Sequence, residues 1–387
     1  RERHKELLTQ TRTPPAALTR ANPTRELPAL QRGCATRPEG PSHIPVDACE
    51  ILTTCEVIAH QRRNHMRAAQ ITELSGPDAV AVGEVDAPAL APGQLLIDVH
   101  AAGVNFPDLL MTRGEYQVKP DLPFIPGSEV SGVVSDAPAG SGFKIGDRVA
   151  SFSLLNGIAE QVVVTPDLAV RIPDSMSFAQ GAALPMNYLT MEFALIRRGG
   201  LARGETVLIH GAAGGIGTAG IQISKALGAT VIAVASTAAK REVALAAGAD
   251  HAIDVEGFLA ATKALTEGRG VDVVVDPVGG DRFTDSLRAL APEGRLLVIG
   301  FTAGDIPTVK VNRLLLNNVD VRGVGWGAYA FVRPGFISKQ WASITHLIET
   351  GAIHPPIGAE YPLSEVATAI ADLGSRRAAG KVVVTLK

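Results

Sequence analysis

The sequence predicts an α/β protein in two parts: a compact β-rich unit of short antiparallel strands, and a doubly wound domain around a six-stranded parallel sheet. Three observations carry this prediction. At Thr206–Gly217 a β-branched run, Thr-Val-Leu-Ile-His, enters the glycine-rich turn Gly-Ala-Ala-Gly-Gly-Ile-Gly, and Ile221, Ile223, Ala226 and Leu227 then follow with helical spacing. From Gly204 onward, continuous apolar strands alternate with helical patterns, which implies a parallel sheet covered on both faces. From Met66 to about Pro185 the signals are short strands punctuated by turns.

With 387 residues the chain is long enough for two or three domains with sizeable cores. An apolar fraction of 46% and a charged fraction of 19% describe an ordinary globular protein. The net charge is −3, and the part from Met66 onward is more acidic than the whole, so no nucleic-acid partner is expected. No apolar stretch is long enough to span a bilayer and no secretory pattern opens the chain, so the expected location is cytoplasmic, with no membrane partner. Cys34, Cys49 and Cys55 are the only cysteines. Beyond Met66 neither a disulfide framework nor a thiolate zinc site is available.

Residues 1–65 are rich in Arg and Pro and are expected to be disordered, with a helical turn or two at Glu50–Ala59. Glu2, Glu6, Glu26, Glu39, Asp47, Glu50 and Glu56 argue against a transit peptide. Met66-Arg-Ala-Ala-Gln-Ile resembles a natural start, so the first 65 residues are expected to be an extension outside the fold. Strands are predicted at Ala79–Val85, Leu95–Val99, Glu129–Val134, Arg148–Phe152 and Glu160–Thr165, with a helix at Asn105–Thr112. Helices at Ser177–Ala183 and Pro185–Arg197 lead out of this unit, the second with Pro in its first turn.

The six parallel strands are predicted at Thr206–Ile209, Thr230–Ala235, His251–Ile253, Val271–Asp276, Arg295–Ile299 and Val319–Val324. Helical patterns at Gly217–Leu227, Ala239–Ala247, Phe258–Leu265 and Arg282–Leu290 separate them. After Trp326 come helices at Ser338–Glu349 and Ser364–Leu373 and a strand at Lys381–Leu386, expected to rejoin the first unit. The expected boundaries are therefore 66–188, 189–326 and 327–387.

The turn carries the first chemistry. Ala212-x-Gly214-x-x-Gly217, between a strand and a helix and followed by a second strand, fits the spacing of a dinucleotide-binding βαβ unit. Small residues keep the turn tight and let the backbone approach a pyrophosphate, while the uncapped helix start donates to phosphate oxygens. Ala212, Ala213, Gly214, Gly215, Ile216 and Gly217 are the candidate phosphate cradle.

Ala-Ala-Gly-Val-Asn-Phe-Pro-Asp at 101–108, Pro-Phe-Ile-Pro-Gly-Ser-Glu at 123–129, Asn-Tyr-Leu-Thr at 187–190, the glycine turn, Val-Asp-Pro-Val-Gly-Gly at 275–280 and Gly-Lys-Val-Val at 380–383 recur together here. In these motifs the chain from Met66 to Lys387 resembles the zinc-independent, zeta-crystallin-like quinone oxidoreductase branch of the medium-chain dehydrogenase/reductase superfamily. The resemblance implies a GroES-like catalytic domain, a Rossmann domain, a site in the cleft between them, and a homodimer formed through the edge strand Val319–Val324.

The end of the second parallel strand indicates which nicotinamide cofactor is bound. An NAD site places an acid there for the ribose 2′-hydroxyl. Here the residues are Ala235-Ser236-Thr237-Ala238-Ala239-Lys240-Arg241. Hydroxyls and cations attract a 2′-phosphate, so NADPH is expected, with Ser236, Thr237 and Lys240 as contacts. Where zinc-dependent relatives supply Cys and His ligands, this sequence has Asn105 and Ser128, and His100, His210, His251, His346 and His354 show no ligand spacing. Without a Lewis acid the substrate must already be electrophilic, which suits a quinone or an α,β-unsaturated carbonyl such as an enone or enoyl thioester.

The resemblance places Tyr116 near the nicotinamide as a donor to the developing oxyanion, and Asn105 at the same end. It also implies cofactor contacts from Asn187, Thr190, Pro277, Val278, Gly300, Phe301 and Thr302. Trp326 fits either a pocket wall or domain packing. A non-catalytic NADPH-binding or RNA-binding, crystallin-like role is the reading from another class, and the acidic body disfavours the RNA version.

Overall fold

The computed structural model describes residues 65–375 and 378–387, and the cysteines and the expected turn at Glu50–Ala59 lie outside them. Strands β1 (His65–Ile71) and β2 (Val80–Asp86) form an antiparallel pair. Next come β3 (Leu95–Gly103), α1 (Phe106–Thr112), β4 (Glu129–Asp136), β5 (Arg148–Phe152), β6 (Gln161–Val164) and β7 (Ala169–Arg171). Helices α2 (Phe178–Ala182) and α3 (Pro185–Glu192) lead out, and α3 widens into a π-helix at Phe193–Gly199 that ends on left-handed Gly200.

The parallel sheet consists of β8 (Thr206–His210), β9 (Thr230–Val234), β10 (His251–Ile253), β11 (Val271–Asp276), β12 (Leu290–Val298) and β13 (Asp320–Gly323). Its spatial order is β10-β9-β8-β11-β12-β13, so the strand order reverses between β8 and β11. Helices α4 (Gly215–Ala226), α5 (Ala238–Ala246), α6 (Phe258–Leu265) and α7 (Phe283–Ala289) cover it, and α8 (Asn312–Asn317) precedes its last strand. This is the doubly wound Rossmann arrangement.

The strand sequences are apolar throughout because both faces are buried. Val207, Ile209, Val231, Ala233, Val273 and Val275 pack with Ile221 and Ile223 on one side. The alternate residues Leu208, Ile232, Val234 and Val274 pack with Phe258, Phe283 and Leu287 on the other.

The chain ends with α9 (Trp326–Ala330), α10 (Phe336–Glu349), β14 (Ile357–Pro362), α11 (Val366–Gly374) and β15 (Lys381–Thr385). β15 pairs antiparallel with β3, completing a seven-stranded GroES-like sheet ordered β14-β15-β3-β4-β5-β7, with β6 also on β3. β14 is not among the predicted strands: Ile357, Ala359 and Tyr361 alternate with Gly358, Glu360 and Pro362, but Gly and Pro are poor strand formers, and the segment is held by its parallel partner β15. β12 begins at Leu290, ahead of the predicted Arg295, because its first residues pair with the start of β11. No helix of the described residues is long and apolar enough to cross a membrane.

Candidate active site

The glycine turn lies at the carboxyl end of β8, beside the reversal in strand order. Gly211 takes a φ of 58°, which an L side chain rarely adopts. A Cβ on Gly217 would come within 2.4 Å of the Gly211 carbonyl oxygen and 2.5 Å of Ala212 Cα. Gly211 and Gly217 are therefore closed to side chains. The twelve-residue α4 starts at Gly215 with no side-chain cap, leaving its first N–H groups for an external acceptor. Tight backbone approach and aligned donors fit a pyrophosphate.

Other candidate residues converge on this turn. Asn187 lies against Gly215, where a Cβ would meet its Nδ2 at 2.6 Å, and Thr190 is buried one turn further along α3. Val278 and Pro277 flank Gly211. The Thr302 N–H donates to the Pro277 carbonyl at 3.1 Å and Ala303 N–H to that of Val278 at 2.9 Å, which joins the loop of Gly300 and Phe301 to the end of β11. Asp276 fixes that end by accepting from Val278 and Gly279 N–H, both at 2.9 Å, while its Oδ2 is buried without a partner among the described residues.

Ser236, Thr237 and Lys240 stand at the end of β9, with Ser236 and Thr237 exposed. Thr237 caps α5 by accepting from Lys240 N–H at 3.2 Å. Arg241 is engaged by Asp254 at 2.5 Å and by the Ala235 carbonyl at 3.2 Å, so its charge is largely committed within the protein.

A second group belongs to the β-rich unit. Asn105 caps α1 and is bracketed by Asp108, whose carboxylate accepts from Asn105 N–H at 2.8 Å and Gly127 N–H at 3.0 Å. Complete burial pushes the Asp108 carboxyl up to about 6 despite these two donors. Asn105 Oδ1 accepts from Lys381 Nζ at 2.7 Å, and its Nδ2 donates to Glu129 Oε1 at 2.8 Å and lies 3.4 Å from Ser128 Oγ. Lys381 Nζ is 2.5 Å from the same Glu129 oxygen, and Glu129 Oε2 accepts from Met186 N–H at 2.7 Å.

Glu129 and Lys381 were not among the predicted site residues. The available signal was a lysine opening the apolar run Lys-Val-Val-Val, because a charge in a buried strand requires a partner. The partner is 252 residues away in sequence and becomes adjacent only through the β15–β3–β4 pairing.

Tyr116 is half-buried against the core of the β-rich unit, and among the described residues nothing bonds its hydroxyl. Burial, and then the nearby Asp108 charge, raise its pKa, so it stays protonated at neutral pH. Trp326 serves packing: its Nε1 donates to Gln340 at 2.8 Å and its ring meets Phe152 edge-on at 5.2 Å. The two groups adjoin where Gly380 N–H donates to the Ala213 carbonyl at 2.6 Å. A cavity of about 320 Å³ lined by Thr206, Thr230, His251 and Arg269 lies at the amino ends of the strands, opposite this site.

Asn105 and Ser128 do converge, but a carboxamide and a hydroxyl do not match zinc's preference for thiolate, imidazole and carboxylate. The cation beside them is the Lys381 ammonium. Among the described residues no group of three His, Cys, Asp or Glu is placed to hold a metal.

Comparison with known proteins gives a consistent picture. The alcohol dehydrogenase GroES-like domain model matches residues 91–174, and the zinc-binding dehydrogenase model matches residues 215–344. Quinone oxidoreductase-like protein 2 of Rattus norvegicus is 40% identical over 337 residues, covering 86% of this chain and 96% of the relative. A crystal structure of a probable oxidoreductase from Mycobacterium abscessus is 46% identical with a TM-score of 0.76, covering 83% of this chain and 99% of that one. A mycobacterial protein solved in complex with NADPH is 34% identical with a TM-score of 0.74, covering 83% of this chain and all of its own.

Proposed function

The chain belongs to the zinc-independent quinone oxidoreductase branch of the medium-chain dehydrogenase/reductase superfamily, and we propose that it is an NADPH-dependent reductase that passes a hydride to a quinone without a metal. What supports this reading is a glycine turn whose Gly217 has no room for a side chain, together with a half-buried, protonated phenol near the buried Asp108 whose hydroxyl is not used by the fold. The mycobacterial complex supports NADPH as the cofactor. We assign residues 66–188 and 327–387 to the catalytic domain and 189–326 to the cofactor domain.

When bound, NADPH supplies the hydride. The turn Ala212–Gly217 and the start of α4 hold the pyrophosphate, and Ser236, Thr237 and Lys240 hold the 2′-phosphate. Asn187, Thr190, Pro277, Val278, Gly300 and Phe301 line the groove toward the nicotinamide, where Asn105 closes the end. Tyr116 donates a hydrogen bond to the oxygen on which negative charge develops. Delocalisation in a conjugated acceptor supplies the remaining stabilisation.

The test is NADPH oxidation with ortho- and para-quinones beside alkenals and enoyl thioesters, repeated with NADH and after metal chelation. Turnover restricted to enoyl thioesters moves the assignment to the enone branch, and activity lost on chelation contradicts the metal-free reading. Lys240→Ala raises the KM for NADPH by about tenfold, one charge-assisted contact, and leaves that for NADH nearly unchanged. Equal effects on the two cofactors remove Lys240 from the phosphate site. Tyr116→Phe lowers kcat by roughly tenfold to a hundredfold, the scale of one lost donor to an oxyanion, and unchanged turnover and substrate affinity exclude the phenol from the mechanism.

We also propose that two copies pair along the edge strand β13. Ile306, Val311, Leu315 and Leu316, which precede that strand, are each more than 70% exposed, an uncommon cost for a surface that stays in water. Light scattering after size exclusion is expected to give a dimer for the wild type and a monomer for Leu315→Lys/Leu316→Lys. A monomeric wild type refutes the interface.

A further inference from the structure

Lys381 and Glu129 form a buried ion pair that the reading above does not use. Both side chains are almost fully removed from solvent, and their charges are satisfied largely by each other and by Asn105. Desolvating two charges is expensive, and apolar residues of similar volume often serve a fold as well or better. Their placement therefore calls for a reason beyond packing.

The hydrogen bonds point to that reason. Asn105 has an ammonium at Oδ1 and a carboxylate at Nδ2, so only one of its two amide orientations satisfies both neighbours. The preceding residue, Gly380, donates to Ala213 in the glycine turn. It does so at a φ of 90°, and a Cβ there would come within 2.8 Å of Gly358 N and the Pro356 carbonyl oxygen. Lys381 N–H is itself anchored on the Pro356 carbonyl at 2.8 Å. Two consecutive residues thus touch the phosphate cradle and the nicotinamide-end amide, on a backbone that cannot shift freely.

We propose that Lys381 is a positioning residue: with Glu129 it locks the Asn105 carboxamide in one orientation and, through Gly380, keeps that amide in register with the glycine turn. The inference rests on the reading that Asn105 lines the nicotinamide end of the cleft. Lys381 acts on the reaction only through Asn105.

The test uses the full chain carrying Lys381→Met, Lys381→Arg and the double change Lys381→Met/Glu129→Gln, which removes both charges together. Each is combined with Asn105→Ala. Three properties are read: the ¹⁵N–¹H signals of the Asn105 side-chain amide in cofactor-free protein, assigned by their loss in Asn105→Ala; the Kd for NADPH by fluorescence; and the single-turnover rate of NADPH oxidation by a para-quinone. Lys381→Met can fail to fold because it strands the Glu129 charge, so the doubly neutralised protein carries the decision.

In that protein the Asn105 signals are expected to shift and broaden. The single-turnover rate falls on the order of 100-fold, the scale of a misplaced reacting geometry, while the Kd for NADPH changes only a few-fold. Lys381→Arg recovers part of the rate, and adding Asn105→Ala to the doubly neutralised protein lowers it no further. Unchanged Asn105 signals, or a full additional loss from Asn105→Ala, overturn the proposal. If no acceptor oxidises NADPH in the wild type, the functional reading falls, whereas the amide signals still decide whether Lys381 orients Asn105.

Discussion

Gly217→Val is expected to abolish useful cofactor binding, raising the Kd for NADPH by at least about 100-fold, because even the first added carbon meets backbone atoms on two residues of the turn. The clash at 2.4 Å is with a main-chain carbonyl, not with the mobile tip of a side chain, so relief requires the turn to open. Opening it separates the first N–H groups of α4 from the loop that shares the same anion. Fluorescence titration with NADPH, beside a thermal melt showing that the sheet is intact, checks the result. Wild-type affinity in a folded variant means that the phosphates bind elsewhere.

The second large effect concerns the fold. Arg295, buried on β12, makes a two-pronged ion pair with both Glu205 oxygens at 2.6 Å and donates to the carbonyls of Gly199 at 2.7 Å and Gly200 at 3.1 Å. It therefore clamps the end of the π-helix to the parallel sheet. Arg295→Met is expected to destabilise the protein by about 3 kcal/mol, the lower end for a broken buried pair because Glu205 is partly exposed. That corresponds to a Tm roughly 4 °C lower at this size.

The effect depends on pH in a defined direction. Arg295 is the main cause holding the Glu205 carboxyl below its ordinary range, so the unfolded chain takes up a proton at higher pH than the native protein. The stabilisation is present above the ordinary glutamate pKa and is lost as pH falls through the native one. The melting gap between wild type and variant should accordingly narrow below pH 4.5, the ordinary value. A constant gap would show that Arg295 acts by packing alone.

Much of this organisation was legible in the chain because it is local. The glycine turn, the apolar strands and their helices are each written in a dozen or so consecutive residues, and the structure has six parallel strands close to where patterning puts them. Thr237, a phosphate candidate on local grounds, turns out also to cap α5. What stayed hidden depends on distant pairing. β14 is a short alternation interrupted by Gly358 and ended by Pro362 that is held by pairing with β15, and the meeting of Lys381 with Glu129 and Asn105 is produced by sheet order. The π-helix was likewise not legible, and the Arg295 that bonds the carbonyl of its last residue lies far outside any window around Phe193–Gly199.

On the proposed reading, the same residues bear on the choice of substrate. Asn105 and Ser128 hold no thiolate or imidazole, and the fixed cation beside them belongs to the chain itself. On the proposed reading, one phenol and an internally committed amide suit an acceptor that disperses the incoming charge over its own conjugated system.

We propose that NADPH bound at the glycine turn gives its hydride to a quinone. Stopped-flow mixing of the NADPH-loaded, chelator-treated protein with a para-quinone tests it most directly, using NADPH deuterated in turn on each face of C4. Acceptor-dependent loss of NADPH absorbance is expected, slowed by deuterium on one face only. Loss that is insensitive to deuterium on both faces, or that requires added zinc, contradicts it.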